Sequence, residues 1–211
     1  PNAAANRLPF RFAPLHLHRP ASMKYNVLYV DPPWCYNNKR TGGSMKSGAS
    51  AKYQDITVSA LCALPIPDLA DQHAVLFLWA TVPLLPEALA VMNAWGFRYK
   101  TLITWVKTGR LGLGYWFRGQ TEHLLLGTRG KVKPFRMQHT NIVVLPAERH
   151  SKKPDEFRSI IDSATSAMPQ PRKLEVFARS TAPGWTAIGN EIDGLDISES
   201  IQRLITLEPQ P

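Results

Sequence analysis

Seven short apolar bursts limit what this chain can become: YNVLYV (25–30), AVLFLWA (74–80), TLITWV (101–106), EHLLLGT (122–128), NIVVL (141–145), KLEVFA (173–178) and WTAIG (185–189). Their apolar residues run on without the alternation of a strand that has one wet face, so they suit strands covered on both sides. Several are rich in β-branched or aromatic residues. Helical patterns lie between some of them. PLLPEALAVMNAWG (83–96) has proline near its start and glycine at its end, and KPDEFRSIIDSA (153–164) carries proline and acids in its first turn. Strands interleaved with helices in this way predict an open, doubly wound α/β fold.

With 211 residues, 44% of them hydrophobic, the chain can build one such domain with a sizeable core. We expect that domain over 23–200. Residues 1–22 hold four prolines and no acid and show no period, which predicts a flexible N-terminal arm or extension, and residues 201–211 are expected to form a C-terminal tail. Two cysteines, Cys35 and Cys62, fit neither a disulfide framework nor a metal site and point to a reducing, cytoplasmic setting. No apolar stretch nears the ~20 residues that span a bilayer, so no membrane association is expected. The excess of 25 Lys+Arg over 16 Asp+Glu, a net charge of +9, favours polyanionic partners, nucleic acid first among them.

The first burst ends abruptly in VDPPWCYNN (30–38). In open α/β sheets ligands bind beyond the carboxyl ends of the strands, which is where Asp31, Pro32, Pro33 and Trp34 are expected. Two prolines have no N–H and a fixed φ, so the backbone there offers carbonyl acceptors in a stiff frame. Together with the Asp31 carboxylate they can converge on an exocyclic amino group, and Trp34 offers a flat face for a planar ring. This arrangement suits alkylation of an aromatic amine, whose lone pair is delocalised until its two hydrogens are held by acceptors. A buried Asp31 also calls for a nearby cation, which a sulfonium would provide.

Two segments break the pattern of bursts. CYNNKRTGGSMKSGASAKYQ (35–54) and KTGRLGLGYWFRGQT (107–121) are rich in glycine and basic residues, and the second adds Tyr115, Trp116 and Phe117. Either is a phosphate-and-base surface or a connection whose aromatics tuck into the core.

With these stretches in view, the sequence resembles the family of the eukaryotic mRNA adenosine methyltransferase, the MT-A70 family, and within it the bacterial and phage DNA adenine-N6 members. The likeness runs from about residue 25 to 194. It is carried in order by VDPPW (30–34), AKYQDITVSAL (51–61), VLFLWAT (75–81), WVKTG (105–109), GYWFRGQTEHLLLGTRG (114–130), RHSKKPDEF (149–157), KLEVFAR (173–179) and GWTAIGNEIDG (184–194). The resemblance implies a Rossmann-like methyltransferase fold, a seven-stranded, mostly parallel sheet with helices on both faces and the catalytic segment first in the chain. It implies S-adenosylmethionine as cofactor and the N6 amino group of adenine as target, in DNA rather than RNA, by a homodimer or a monomer. Catalysis falls to Asp31, Pro32, Pro33 and Trp34. The cofactor falls to Asp31, Lys153, Glu175, Arg179, Asn190 and Glu191, and the substrate to Trp34, Tyr53, Tyr115, Trp116 and Arg118. Glu122 is the residue expected to brace Lys153, and Glu175 the one expected to orient Arg179. Without the resemblance, Lys153 reads as a solvated first-turn lysine and Glu175 as half of a structural ion pair.

Overall fold

The structure is a computed structural model; it describes residues 24–35, 56–109, 112, 116–135, 139–147 and 152–206. All seven apolar bursts form strands: β1 (Tyr25–Val30), β2 (Ala70–Thr81), β3 (Arg98–Thr108), β4 (Thr121–Arg129), β5 (Ile142–Pro146), β6 (Lys173–Val176) and β7 (Trp185–Ile188). They make one sheet in the order β5-β3-β4-β2-β1-β6-β7. The pairs β1–β2, β1–β6, β3–β5 and β6–β7 are parallel, and β4 runs antiparallel to both its neighbours, β2 and β3. The expected seven-stranded, mostly parallel α/β sheet is therefore what the chain builds.

The helices are α1 (Val58–Ala63), α2 (Ile66–Leu69), α3 (Leu85–Ala94), α4 (Glu156–Thr165), α5 (Asn190–Asp193) and α6 (Ile197–Thr206). α3 carries Pro86 in its first turn and is followed by Gly96 at φ +78°, a left-handed position that glycine takes without strain. Along β1 the side chains alternate between faces. Leu28 and Val30 join Leu76, Leu78, Trp95 and the buried residues of α1, α3 and α6 in one core. Val27 and Tyr29 join Val75, Phe77, Trp79, Trp105 and, from α4, Phe157 and Ile161 in the other. Helices thus cover both faces.

α6 corrects the expected boundary at residue 200. The stretch 197–206 is an amphipathic helix whose Ile197 and Ile201 are buried, with Leu204 and Ile205 packed against the same core, so the ordered fold continues into what was read as a tail.

Parallel register decides where the site lies. Val30, the last residue of β1, is level with Leu78 of β2 and Val176 of β6, and Ile188 of β7 is level with Val176. The carboxyl ends of four adjacent strands finish on one edge, and Asp31 stands at its middle. Gly189 makes the outer part of that edge possible: a Cβ there would sit 2.6 Å from the carbonyl oxygen and 2.9 Å from the nitrogen of Ala178.

Candidate active site

Aromatic packing fixes the position of the site's lysine. The Phe157 ring of α4 meets Trp79 edge-to-face, ring centres 4.7 Å apart, and Trp105 at 6.2 Å. With α4 seated on the strands, the preceding Lys153–Pro154 segment is drawn over the strand ends, and Pro154 is buried. The Lys153 Nζ lies 5.2 Å from the Trp79 ring centre and donates to both Asp31 oxygens, at 2.8 and 2.9 Å. The same ammonium lies 3.4 Å from Glu122 Oε2, and Glu122 in turn accepts a hydrogen bond from Lys107. Four alternating charges, Lys107, Glu122, Lys153 and Asp31, thus run from the end of β3 to the end of β1. The bracing of Lys153 by Glu122 anticipated from sequence matches this geometry.

The surroundings shift these groups in identifiable ways. Burial raises the Asp31 carboxyl above its ordinary value against the pull of Lys153. Burial opposes the charge on Lys153 too, but Asp31 and Glu122 outweigh it and hold the ammonium above the usual lysine value. Glu122 is also held against burial, by Lys153 and Lys107, and ends below its ordinary value.

A second ion pair closes the other wall. Arg158, on α4, donates through Nε and Nη2 to both oxygens of Glu175 at 2.9–3.1 Å, a fork that favours the charged form of each. Burial still leaves Glu175 above its ordinary value. Beneath it the Tyr29 hydroxyl accepts from Trp79 Nε1 at 2.8 Å, and burial raises its pKa. Between the walls is a cleft of about 480 Å³, counted out to its open mouth, lined by Asp31, Lys153, Glu175, Phe177 and Arg179 among others. Phe177 has φ +63°, an uncommon conformation for a bulky side chain, held at the point where β6 ends and the cleft begins.

Of the residues expected at the site, Asp31, Lys153, Glu175 and Arg179 meet in this cleft. Two expectations need correction. The broad stacking face expected of Trp34 is buried: its ring is 7% exposed, lies in the core with Trp95 and Leu61, and donates to the Trp79 carbonyl at 3.0 Å. The cause is the turn itself, in which the Trp34 N–H bonds back to the Pro32 carbonyl at 2.9 Å and sends the indole to the face opposite Asp31. The partner that grips Glu175 is Arg158, in the first turn of α4, rather than Arg179, so Glu175 is half of an ion pair, as it reads without the resemblance. The Pro33 carbonyl accepts from Ile56 N–H, so each proline carbonyl already takes one bond and keeps one lone pair. Asn190 and Glu191 open α5 directly after β7, one strand further from β1 than Glu175, and both are exposed. Trp116 is exposed, and Arg118 donates to the Gly112 carbonyl at 2.8 Å. Tyr53 and Tyr115 lie outside the described residues.

Sequence reasoning passed over Tyr29, Lys107 and Arg158. Tyr29 had a usable signal, since it lies two residues before Asp31 on one strand and so shares its face.

The MT-A70 family profile matches residues 25–191. The chain belongs to the MT-A70 family. It is 33% identical to the type II methyltransferase M.MunI of a Mycoplasma species over 80% of this chain and 78% of that protein. It is 30% identical to a putative N(6)-adenosine-methyltransferase MT-A70-like protein of Medicago truncatula over 82% of this chain, but spans only 27% of that relative. Against the human N(6)-adenosine-methyltransferase catalytic subunit METTL3 the values are 29% identity, 82% of this chain and 29% of the human protein. In this MT-A70 chain the match begins with β1 and ends in α5, so it takes in both walls of the cleft.

Proposed function

We propose that this chain is an S-adenosylmethionine-dependent methyltransferase acting on the N6 amino group of adenine in nucleic acid, DNA in preference to RNA. The observation that carries the reading is Asp31: a carboxylate at the middle of the sheet's carboxyl edge, in a stiff Pro-Pro frame, opening onto a cleft lined by both signs of charge. When bound, S-adenosylmethionine supplies a methyl group on a sulfonium, with an amino-acid end that carries an ammonium and a carboxylate. The lining fits such a molecule, since Asp31 and Glu175 are set among Lys152, Lys153, Arg158 and Arg179. Lys153, Glu175 and Arg179 are assigned to it in the cleft, and Asn190 and Glu191 at the neighbouring strand end to its ribose.

The chain's own part in the chemistry is to hold the target amine. Each Asp31 oxygen keeps a lone pair beside its bond from Lys153, so the carboxylate can accept an amino hydrogen while the ammonium stays paired with it and with Glu122 at 3.4 Å. The remaining lone pair of the Pro32 carbonyl is the second acceptor. With both hydrogens held, the nitrogen lone pair is localised for attack. Bringing a paired base there requires flipping it out of the helix at a cost of a few kcal/mol. Preference for DNA is supported by the 33% identity to the type II methyltransferase, above the 30% and 29% shared with the N(6)-adenosine-methyltransferase relatives.

The deciding experiment incubates the purified chain with labelled cofactor and separate DNA and RNA pools and identifies the modified nucleoside. Labelled N6-methyladenine in DNA supports the proposal, whereas methylated cytosine or an unlabelled pool refutes it. One observation favours a second reading, a catalytically silent nucleic-acid-binding subunit: Lys153 occupies both oxygens of Asp31. Calorimetry separates the two, because the silent subunit binds nucleic acid and no cofactor. The chain can act as a monomer or a homodimer on either reading. No helix among the described residues is long and apolar enough to cross a membrane.

A further inference from the structure

The β3–β4 connection carries a feature that the cleft does not use. Its neck is closed by backbone bonds from Lys107 N–H to the Gln120 carbonyl at 2.8 Å and from Gly112 N–H to the Gly119 carbonyl at 3.0 Å. Arg118 fastens it further through the Gly112 carbonyl. A Cβ on Gly112 would lie 2.6 Å from the Gly119 oxygen, so the two sides approach more closely than a side chain allows. Beyond this neck stand Trp116, 94% exposed, and Phe117, 90% exposed. The next most exposed large apolar residue described, Val144, reaches 57%. Two adjacent bare aromatics on a braced neck cannot gain from the core, and such exposure marks a contact surface.

Charge and continuity indicate what covers them. The chain carries +9 overall, Arg118 adjoins the pair, and Lys107 at the base of the neck is the first member of the ion-pair chain that ends at Asp31. Aromatic faces beside cations suit nucleobases whose own faces are open. A fully paired duplex offers few such faces; a single strand or a locally opened one offers many.

We propose that Trp116 and Phe117 form a base-stacking tip that engages unpaired bases of the nucleic-acid substrate, so that the substrate is a single strand or a locally opened duplex rather than a continuously paired one. The inference rests on the function proposed above and refines its substrate class.

The test uses the full chain with three DNA probes of one sequence: single-stranded, fully paired, and paired with an internal mismatched bubble. Five of the six tryptophans, Trp34, Trp79, Trp95, Trp105 and Trp185, are no more than 8% exposed, so stacking of a base on Trp116 dominates any quenching of fluorescence. We expect quenching by the single-stranded and bubble probes, lost in Trp116→Phe while affinity is kept, because a phenyl ring still stacks. The double variant Trp116→Ala/Phe117→Ala should lose at least about tenfold in affinity for those two probes, the scale of removing a stacked base contact, and much less for the paired one. Unchanged affinity of the double variant for all three probes, with the parent chain still binding, overturns the tip and leaves the proposed function standing. An equal loss on all three also overturns it, since base pairing then does not matter. A parent chain that binds none of the probes overturns both. A drop from dimer to monomer in the double variant by sedimentation assigns the tip to a second copy of the chain and overturns its role with bases.

Discussion

Helix α4 and strand β6 are joined by two ion pairs of opposite sense, and the two ends of that contact make an instructive contrast. At the cleft, the helix supplies the cation and the strand the carboxylate, Arg158 to Glu175. At the far end, the strand supplies the cation and the helix the carboxylate, Lys173 to Asp162 at 2.6 Å. The far pair is completed locally: Asp162 also accepts from Trp185 Nε1 at 3.2 Å, and Lys173 lies 5.7 Å from the Trp185 ring centre. It clasps helix to sheet, and neither residue lines the cleft beside Asp31. The near pair borders open volume beside Asp31 and Lys153. Similar chemistry at the two ends of one strand thus serves different purposes, and what separates them is which end of a parallel sheet they occupy. Strand ends that diverge from the helices leave room for a ligand, while the opposite ends are filled.

If the contrast is real, substitutions at the cleft end should change function out of proportion to stability. The largest effect is expected from Asp31→Asn, which keeps the shape but removes the charged acceptor. Methyl transfer to adenine should fall by about 10²- to 10³-fold, the scale of one preorganised electrostatic contact. Single-turnover kinetics with cofactor saturating would measure it, and an unchanged rate would detach Asp31 from the reaction.

Lys153→Met should weaken cofactor binding, in which Lys153 is assigned a part, and should also cost stability, because Asp31 and Glu122 would then face one another without the ammonium between them. A loss of about 3 kcal/mol is expected, as for a broken buried pair, read as a shift in the urea midpoint. Adding Asp31→Asn to Lys153→Met should recover part of that loss, since one of the stranded charges is gone. Strict additivity would show that the two residues are not coupled.

The near and far pairs can be set against each other directly. Glu175→Gln should weaken cofactor binding by about tenfold, or ~1.4 kcal/mol, by loosening Arg158 at the cleft wall. Asp162→Asn should leave cofactor binding unchanged and cost no more than ~1 kcal/mol of stability, because Asp162 is 41% exposed. Equal effects on calorimetric affinity would erase the distinction between the two ends.

Much of this was legible in the sequence, for physical reasons that particular residues illustrate. Strands buried on both faces cannot alternate, so the apolar runs announced a covered sheet, as β1 and β2 prove to be, and the acid and prolines after Val30 announced the edge where the cleft lies. The edge strand β5 departs from this, with Ile142 51% and Val144 57% exposed. The direction of β4 was open to the same reasoning: a connection from β3 of twelve residues, four of them glycine, is at the lower limit for a crossover and poor material for its helix, which favours an antiparallel neighbour. α6 was legible too, since Ile197, Ile201, Leu204 and Ile205 fall at helical spacing. What could not be read is whatever depends on distant packing. Arg158 reaches Glu175 only because Phe157 seats α4 against Trp79 and Trp105, and no local pattern encodes that register. Trp34 is the clearest case. Sequence places it beside Asp31, but the bond from its N–H to the Pro32 carbonyl turns its indole to the other face of the sheet.

The smallest expected effect, and the most specific to the four-charge chain, is a change in pH dependence on Glu122→Gln. Asp31 and Glu175 are both held above their ordinary values, so the folded protein keeps protons that the unfolded chain would release, and rising pH across that window costs stability. Glu122 has the opposite sign: held below its ordinary value, it contributes stability above that value, which is lost as pH falls through its folded pKa. The negative charge of Glu122 is also one of the causes that raise Asp31. Removing that charge should let the Asp31 carboxyl ionise at lower pH, so the acid limb of kcat/KM should move downward while the rate on the plateau changes little. The same variant should flatten the acid limb of the stability profile, because the proton-linked contribution of Glu122 is gone. A limb that moves upward would mean that Glu122 acts on Asp31 mainly by holding Lys153 against it, and that the ammonium, once released, no longer favours the Asp31 charge.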